Sequence, residues 1–325
     1  MGREKGGMRM AQQSLKRLYG REARRRDLRK RFTATRALYF FIIPGILFYA
    51  VFKYYPIYGS QIAFRDYSPF LGFWRSEWVG LANFKRFFAS PDFYTTIRNT
   101  LVINLTSLVV GFPFPVLLAL MLNMVYNKRL KKTFQTITYA PYFISMVVMV
   151  GMLYTILSPF SGVINVVIRM LGGSPVFFMG TKGLYVPIYV LSSIWQTSGY
   201  SAVVYIAALS GISEELHEAA IVDGAGRMRR IWHIDLPGIA PTIVTMLILS
   251  AGQLLTIGFE KAILMQNAIN LDVSEVLSTY TYKRGLLNGD FSYASSVETF
   301  QAAVNFLFLV LVNRLSRHVG GASLW

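Results

Sequence analysis

The chain of 325 residues contains no cysteine and only three histidines, and charged residues make up 15% of it while apolar types make up 54%. Disulfides and thiolate metal sites are therefore excluded. The histidines, His217, His233 and His318, lack the spacing of a metal site, and His217 and His233 are expected to be solvated. In soluble domains, roughly a quarter of all residues are charged. The composition is typical of a membrane protein.

Sequence motifs of common enzymes are missing as well. The chain has no G-x-x-x-x-G-K-[ST] phosphate loop, no H-E-x-x-H and no G-x-S-x-G. Its apolar segments are nearly free of the ionisable groups that intramembrane catalysis or a proton relay needs. We therefore predict that the chain is not an enzyme, has no catalytic residue, and binds no cofactor or metal itself.

Six apolar runs are long enough to be transmembrane helices, because about 20 helical residues cross a ~30 Å hydrocarbon core. The fourth run carries several serines, a threonine and a glutamine, so it is not expected to face lipid all round. The predicted spans are Leu38–Tyr58, Leu101–Val125, Ile137–Leu157, Leu184–Leu209, Ile239–Phe259 and Val297–Val312.

Lys and Arg are distributed unevenly between the two sides of these spans. One side carries 22 of them and the other carries ten. Because cytoplasmic segments are rich in Lys and Arg, both termini are predicted to be cytoplasmic. The predicted organisation is a basic cytoplasmic segment (1–36), a six-span domain (37–315) and a cytoplasmic tail (316–325). The basic segment indicates topology or contact with membrane lipid, and no nucleic-acid partner is expected.

Two outward connections are longer than a simple link requires. Residues 59–96 are rich in aromatics, which fits either an interfacial aromatic belt or a docking surface for an extracytoplasmic partner. The segment from about 260 to 296 is polar, and its length suggests a functional surface.

The inward loop 213–238 carries an unusual concentration of charge. Ser213 is placed to cap a helix with acidic residues in its first turn, and Gly224 suits a turn after it. A second helix is predicted from about Ala225 to Ile234. Ala219 and Ala220 keep the first helix slim, which favours docking in a partner's groove. The alternative is a surface helix pair that only starts the fifth span.

Polar and aromatic residues within the spans are candidates for substrate contact, because oligosaccharides are held by stacking and hydroxyl hydrogen bonds. These candidates are Trp195, Gln196, Tyr200 and Gln253. The alternative for each is interhelical packing and hydrogen bonding.

The inward loop also carries a complete signature. Glu218-Ala219-Ala220, Gly224 and Ile234-Asp235-Leu236-Pro237 match E-A-A-x3-G-x9-I-x-L-P. In this the chain resembles permease subunits of bacterial binding-protein-dependent ATP-binding-cassette importers. "GLANFKRFF" and "YAPYFIS" resemble the carbohydrate branch, and the C-terminal region resembles polysaccharide permeases, including the first permease subunit of alginate importers. One departure is at position 268, where this chain has alanine and relatives carry proline.

The resemblance implies an all-α membrane fold with a cytoplasmic coupling helix between spans 4 and 5 here, which are spans 5 and 6 of the family core. It implies a saccharide substrate and a location in the bacterial inner membrane. The implied partners are a second, different permease subunit, two cytoplasmic ATPase subunits that bind ATP and Mg²⁺, and an extracytoplasmic solute-binding protein. The residues implied for ATPase coupling are Glu218, Ala219, Ala220, Gly224, Arg227 and Arg230.

Two other classes share some of these features. An ion-coupled secondary transporter would show intramembrane ionisable residues or an internal repeat with broken helices. A membrane scaffold without ATPase coupling would not need the E-A-A signature.

Overall fold

The computed structural model describes residues 39–320 and 323–324. The predicted basic segment 1–36 lies outside the described residues. The chain divides into two compact units, Met1–Gln61 and Ile62–Trp325.

The described residues are mostly helical, and two short strands pair as an antiparallel ribbon in the second unit. The strands are β1 (Arg65–Asp66) and β2 (Glu77–Trp78). The helices are α1 (Tyr39–Phe64), α2 (Gly72–Arg75), α3 (Ala82–Phe88), α4 (Asp92–Asn123), α5 (Lys128–Phe143), α6 (Met146–Ile156), α7 (Val163–Met170), α8 (Lys182–Leu209), α9 (Glu214–Val222), α10 (Arg227–Ala251), α11 (Phe259–Met265), α12 (Leu271–Ser274), α13 (Leu277–Tyr282) and α14 (Phe291–Gly320).

Four of these helices, α1, α4, α10 and α14, are long and apolar enough to cross a membrane. The α5–α6 pair passes the same test as one bent span. Helix α8 has 28 residues, which is about 42 Å at 1.5 Å per residue, but it is not in this apolar set. The all-helical membrane class is confirmed, and the six-span arrangement stays a prediction.

The predicted third span is not one straight helix. Helices α5 and α6 are bent by 98° at a short break. Ile144 and Ser145 adopt extended backbone there, and Ser145 Oγ accepts a hydrogen bond from the Val148 N–H at 3.4 Å. An N-capping serine starts a new helix by occupying a non-helical conformation, so residues 137–157 do not form one continuous helix.

Helix α10 also differs from prediction. The second helix expected from Ala225 to Ile234 is not separate, because the helix runs on from Arg227 to Ala251. Pro237 lacks an N–H, and the π-helical stretch Ile231–Asp235 directly before it keeps the helix continuous. The predicted fifth span 239–259 was therefore wrong at both ends.

The last predicted span, Val297–Val312, was too short. Helix α14 begins at Phe291 and includes Glu298, so this span is not free of ionisable side chains.

The segment 260–296 is largely helical, and its role as a functional surface stays a prediction. It folds into α11, α12 and α13, and Met265, Val276 and Leu277 within it are fully buried. Its apolar positions are spaced among polar ones, and tertiary packing gathers them into the core.

Two buried clusters position the sites described below. One surrounds α8 and α11, and its members are Ile103, Met149, Val150, Met179, Tyr185, Tyr189, Ile257, Ala262, Met265 and Val276. The other joins α4, α8 and α10, and its members are Val116, Ala119, Leu120, Ala202, Tyr205, Leu209, Ile231 and Ile239. Helix α8 contributes to both clusters, so it is the central packing element of the second unit.

Helix α8 also approaches α5 very closely. A Cβ placed on Gly199 would lie 1.9 Å from the carbonyl oxygen of Thr138. Only glycine allows two backbones this near.

Candidate functional site

The loop with the E-A-A signature begins with a capped helix. Ser213 Oγ accepts a hydrogen bond from the Glu215 N–H at 3.2 Å. Glu214 and Glu215 lie in the first turn of α9, where carboxylates complement the positive end of the helix dipole. The predicted cap is confirmed.

Gly224 ends this helix in a conformation that needs glycine. Its φ is +76°, in the left-handed region that a Cβ makes costly. The Ala225 N–H donates to the Ala220 carbonyl at 2.8 Å, closing the turn. The predicted turn is confirmed, and it directs the chain from α9 into α10.

The C-terminal half of α9 is largely uncovered. Glu218 and Ala219 are exposed and Ala220 is half-buried. Beside them Ile221 is exposed and Val222 is 87% exposed. Apolar side chains exposed next to alanines indicate a surface that another protein covers.

One side of α9 lies against the start of α10. His217 Nε2 is 3.4 Å from Oδ1 of Asp235, and Asp235 is buried. This distance allows an ion pair when His217 is protonated. The contact is not aligned as a hydrogen bond, because Oδ1 has no hydrogen-bond partner among the described residues. His217 therefore faces a buried carboxylate, and the prediction of a solvated histidine was wrong.

Two arginines of the loop contact a tyrosine of the same chain. The Arg227 guanidinium lies over the Tyr126 ring, 5.3 Å from its centroid. A hydrogen bond from Arg230, and then its charge, lower the pKa of Tyr126. Tyr126 belongs to the connection between α4 and α5, so these contacts tie that connection to α10. A role of Arg227 and Arg230 at the rim of an ATPase contact stays a prediction.

A second candidate site is a cavity of about 340 Å³ between α4, α8 and α10. None of the described residues that line it is charged, and hydroxyl and amide groups alternate with apolar ones. Such a lining suits a ligand with many hydroxyl groups. Its polar side chains are Asn104, Ser107, Ser193, Thr197, Ser198, Ser201, Tyr205, Ser250, Gln253 and Thr256.

The structure separates the four predicted substrate-pathway residues. Gln253 lines the cavity, whereas Trp195, Gln196 and Tyr200 do not. Gln196 is buried and donates to the Ile144 carbonyl at 3.0 Å, at the break between α5 and α6.

The two aromatic candidates have other surroundings. Tyr200 stacks on Tyr142 with ring centroids 4.0 Å apart, and Trp195 is half exposed. Only Gln253 of the four therefore belongs to the cavity, and a role of the other three in substrate contact stays a prediction.

Several cavity residues were missed by sequence reasoning. Ser193, Thr197 and Ser201 follow one another at intervals of four on α8, so they share one face of this helix. This spacing was available in "SSIWQTSGYS". Asn104 gives no such signal, because its position depends on tertiary contact: its Nδ2 donates to the Leu254 carbonyl at 2.6 Å.

These features define an integral membrane transport component with an exposed helix that carries the E-A-A signature. Residues 111–320 match the family described as the binding-protein-dependent transport system inner membrane component. The match covers more than half of the chain, so the chain belongs to this family. It is a transport component of the inner membrane and not an enzyme, as the sequence resemblance implied.

Individual relatives extend the likeness over nearly the whole chain. The Polygalacturonan/rhamnogalacturonan transport system permease protein YteP of Bacillus subtilis is 43% identical over 303 residues, covering 93% of this chain and 94% of the relative. A chain from the crystal structure of a bacterial alginate transporter, in complex with an alginate pentasaccharide-bound periplasmic protein, is 37% identical with a TM-score of 0.82. It covers 91% of this chain and 99% of the other.

A second solved alginate transporter agrees with this result. Its matching chain is 38% identical with a TM-score of 0.81, covering 90% of this chain and 99% of the other. That transporter imports an acidic polysaccharide.

Proposed function

We propose that this chain is a permease subunit of an ATP-driven importer that moves oligo- or polysaccharide across the bacterial cytoplasmic membrane. A solute-binding protein delivers the saccharide, a second permease subunit completes the pathway, and two cytoplasmic ATPase subunits bind ATP and Mg²⁺. The observation that carries the proposal is the exposed α9 with its complete signature, inside the region 111–320 that matches the family. Alginate is the first substrate to test, because two similar solved transporters handle it.

The proposed membrane arrangement has six spans with both termini in the cytoplasm. The spans are α1, α4, the bent α5–α6 pair, α8, α10 and α14. The excess of Lys and Arg at one side supports this orientation. In it, α9 and Gly224 lie in the cytoplasm, where an ATPase subunit reaches them.

The proposed seat for the ATPase is the uncovered C-terminal half of α9. Glu218 supplies a charge at the rim, and Ala219 and Ala220 allow close approach of another backbone. Gly224 sets the angle at which the chain leaves this seat. Arg227 and Arg230 lie next to it and add positive charge at the edge.

Helix α10 is suited to carry motion from the seat to the cavity. It is continuous from Arg227 to Ala251, and Ser250 lines the cavity near its far end. At 1.5 Å per residue the two ends are about 35 Å apart. Since a packed helix moves as one body, displacement at the Arg227 end shifts the cavity wall and changes which side it opens to.

The cavity provides a path for a hydroxyl-rich substrate. Serine, threonine and glutamine side chains exchange hydrogen bonds with sugar hydroxyls. Because these groups are uncharged, each contact is modest, at about 0.5–1.5 kcal/mol. This strength permits passage rather than retention.

A pair of glycine substitutions tests the coupling proposal. Gly224→Val places a branched side chain at positive φ, so the turn after α9 must change. We expect a correctly inserted importer whose saccharide uptake in proteoliposomes falls by about tenfold or more, as for a coupling loss of at least 1.4 kcal/mol. ATP, the ATPase subunits, the second permease and the binding protein are all present in this assay.

Gly226→Ala is the matched control. Gly226 has a φ of −68° and open space around its Cα, so alanine fits without strain. Its uptake should equal that of the wild type. Normal uptake by Gly224→Val would contradict the coupling role, and wild-type uptake driven by an ion gradient without ATP would contradict the importer class.

A further inference from the structure

A buried lysine stands directly behind the cavity wall. Lys261 of α11 is 2% exposed. Its Nζ donates to the Tyr189 carbonyl at 2.8 Å and to Ser193 Oγ. It also lies 4.5 Å from the centroid of the Tyr189 ring. Sequence reasoning gave no signal for it, because a lone lysine in a polar stretch is expected to be solvated.

Packing alone does not account for this side chain. No carboxylate of the described residues lies within ion-pair distance of Lys261, and a buried charge without a counter-ion is costly. A methionine would fill much of the same space without that cost. Burial lowers the pKa of Lys261 to about 7, so a nearby anion would favour its protonated form.

The lysine reaches the cavity through one hydroxyl group. Ser193 lines the cavity, and its Oγ both accepts from Lys261 and donates to the Tyr189 carbonyl at 2.8 Å. That carbonyl has Lys261 as a second donor. The Ser193 hydrogen is therefore free to turn toward a ligand without leaving the carbonyl unpaired, while Lys261 keeps its bond to Ser193 Oγ.

We propose that Lys261 and Ser193 make this pathway selective for acidic saccharides, with the lysine charge stabilising a uronate carboxylate that accepts a hydrogen bond from Ser193. This rests on the proposed function and adds the chemical class of the substrate. Lys261 acts through Ser193 as a specificity-determining residue and does not touch the sugar. Because the described cavity lining carries no charge, the lysine beneath it has no competing acid at the wall.

The test compares an acid with its neutral counterpart. The probes are tetragalacturonate and its methyl ester, and binding of each to the assembled importer in nanodiscs is measured by saturation-transfer NMR. The solute-binding protein is left out, so its own preference does not enter. Wild type should bind the acid more tightly, and Lys261→Met should weaken acid binding by about tenfold, in the range of a lost charge-assisted contact, while ester binding stays within twofold.

Ser193→Ala is the second variant, because it removes the hydroxyl group that links Lys261 to the cavity with little disturbance of packing. It should lower acid binding by about tenfold, and ester binding by no more than the loss of one neutral hydrogen bond, about fivefold. Equal loss of acid and ester binding in both variants, or no preference for the acid in the wild type, would overturn the inference. Saccharide uptake by the wild-type importer is measured in parallel, since its absence would refute the proposed function instead.

Discussion

The two ends of α10 serve different tasks and are built differently. At one end, α9 and its glycine turn are exposed and held by short-range contacts. At the other end, the cavity is lined by residues of α4, α8 and α10 that are far apart in sequence. A surface that meets a partner must stay open, whereas a pathway through a membrane must be walled by packed helices.

The difference is sharpest at two glycines. Gly224 is needed for its backbone angle and has open space around it, whereas Gly199 is needed for close approach of α8 to α5. Substitution of Gly224 is expected to disturb the transmission of motion from α9 to α10. Substitution of Gly199 is expected to disturb the fold.

The largest expected effect is therefore that of Gly199→Ala. The new methyl group meets the Thr138 carbonyl oxygen, which is backbone and has little room to move. We expect the free energy of unfolding to fall by about 1–3 kcal/mol or more, as it does when a core is overpacked. Thermal melting of the purified chain in detergent measures it.

Gly111→Ala is the control for Gly199→Ala. Its Cβ would lie 3.5 Å from Cγ1 of Ile194, which is an ordinary van der Waals distance, so its melting temperature should stay near that of the wild type. If both variants melt like the wild type, the close approach of α5 and α8 is not required.

The same contrast explains how far sequence reasoning reached. The Ser213 cap and the Gly224 turn were predicted, because caps and turns depend on residues a few positions apart. The break at Ile144 and the true start of α10 at Arg227 were missed, because apolar runs mark span cores and not helix ends. The burial of Lys261 was missed as well, because it depends on Tyr189 and Ser193, which precede it by about 70 residues in the chain.

A smaller effect, on the coupling of ATP hydrolysis to transport, is expected from a substitution where α9 meets α10. Asp235→Asn keeps the shape of the side chain and removes the charge that faces His217. We expect a nearly unchanged melting temperature, because no described residue hydrogen-bonds Oδ1 of Asp235. The ATP hydrolysed per saccharide imported should rise by about fivefold, at the low end of typical coupling energies, because α9 and α10 no longer move together.

Asp223→Asn tests whether charge alone is responsible. Asp223 is exposed next to the same turn, so its loss should leave the ratio of ATP hydrolysed to saccharide imported unchanged. An unchanged ratio in Asp235→Asn would show that the His217 contact does not serve coupling.

The remaining two variants separate two faces of α8. Thr197 lines the cavity, whereas its neighbour Gln196 bonds the Ile144 carbonyl. Thr197→Val should weaken saccharide binding to the nanodisc importer by about fivefold, as for one lost neutral hydrogen bond, with little change in melting temperature. Gln196→Leu should do the reverse, lowering stability by about 1–3 kcal/mol through an unpaired carbonyl. If Gln196→Leu weakens saccharide binding and Thr197→Val does not, the pathway runs along the other face of α8, with Trp195 and Tyr200.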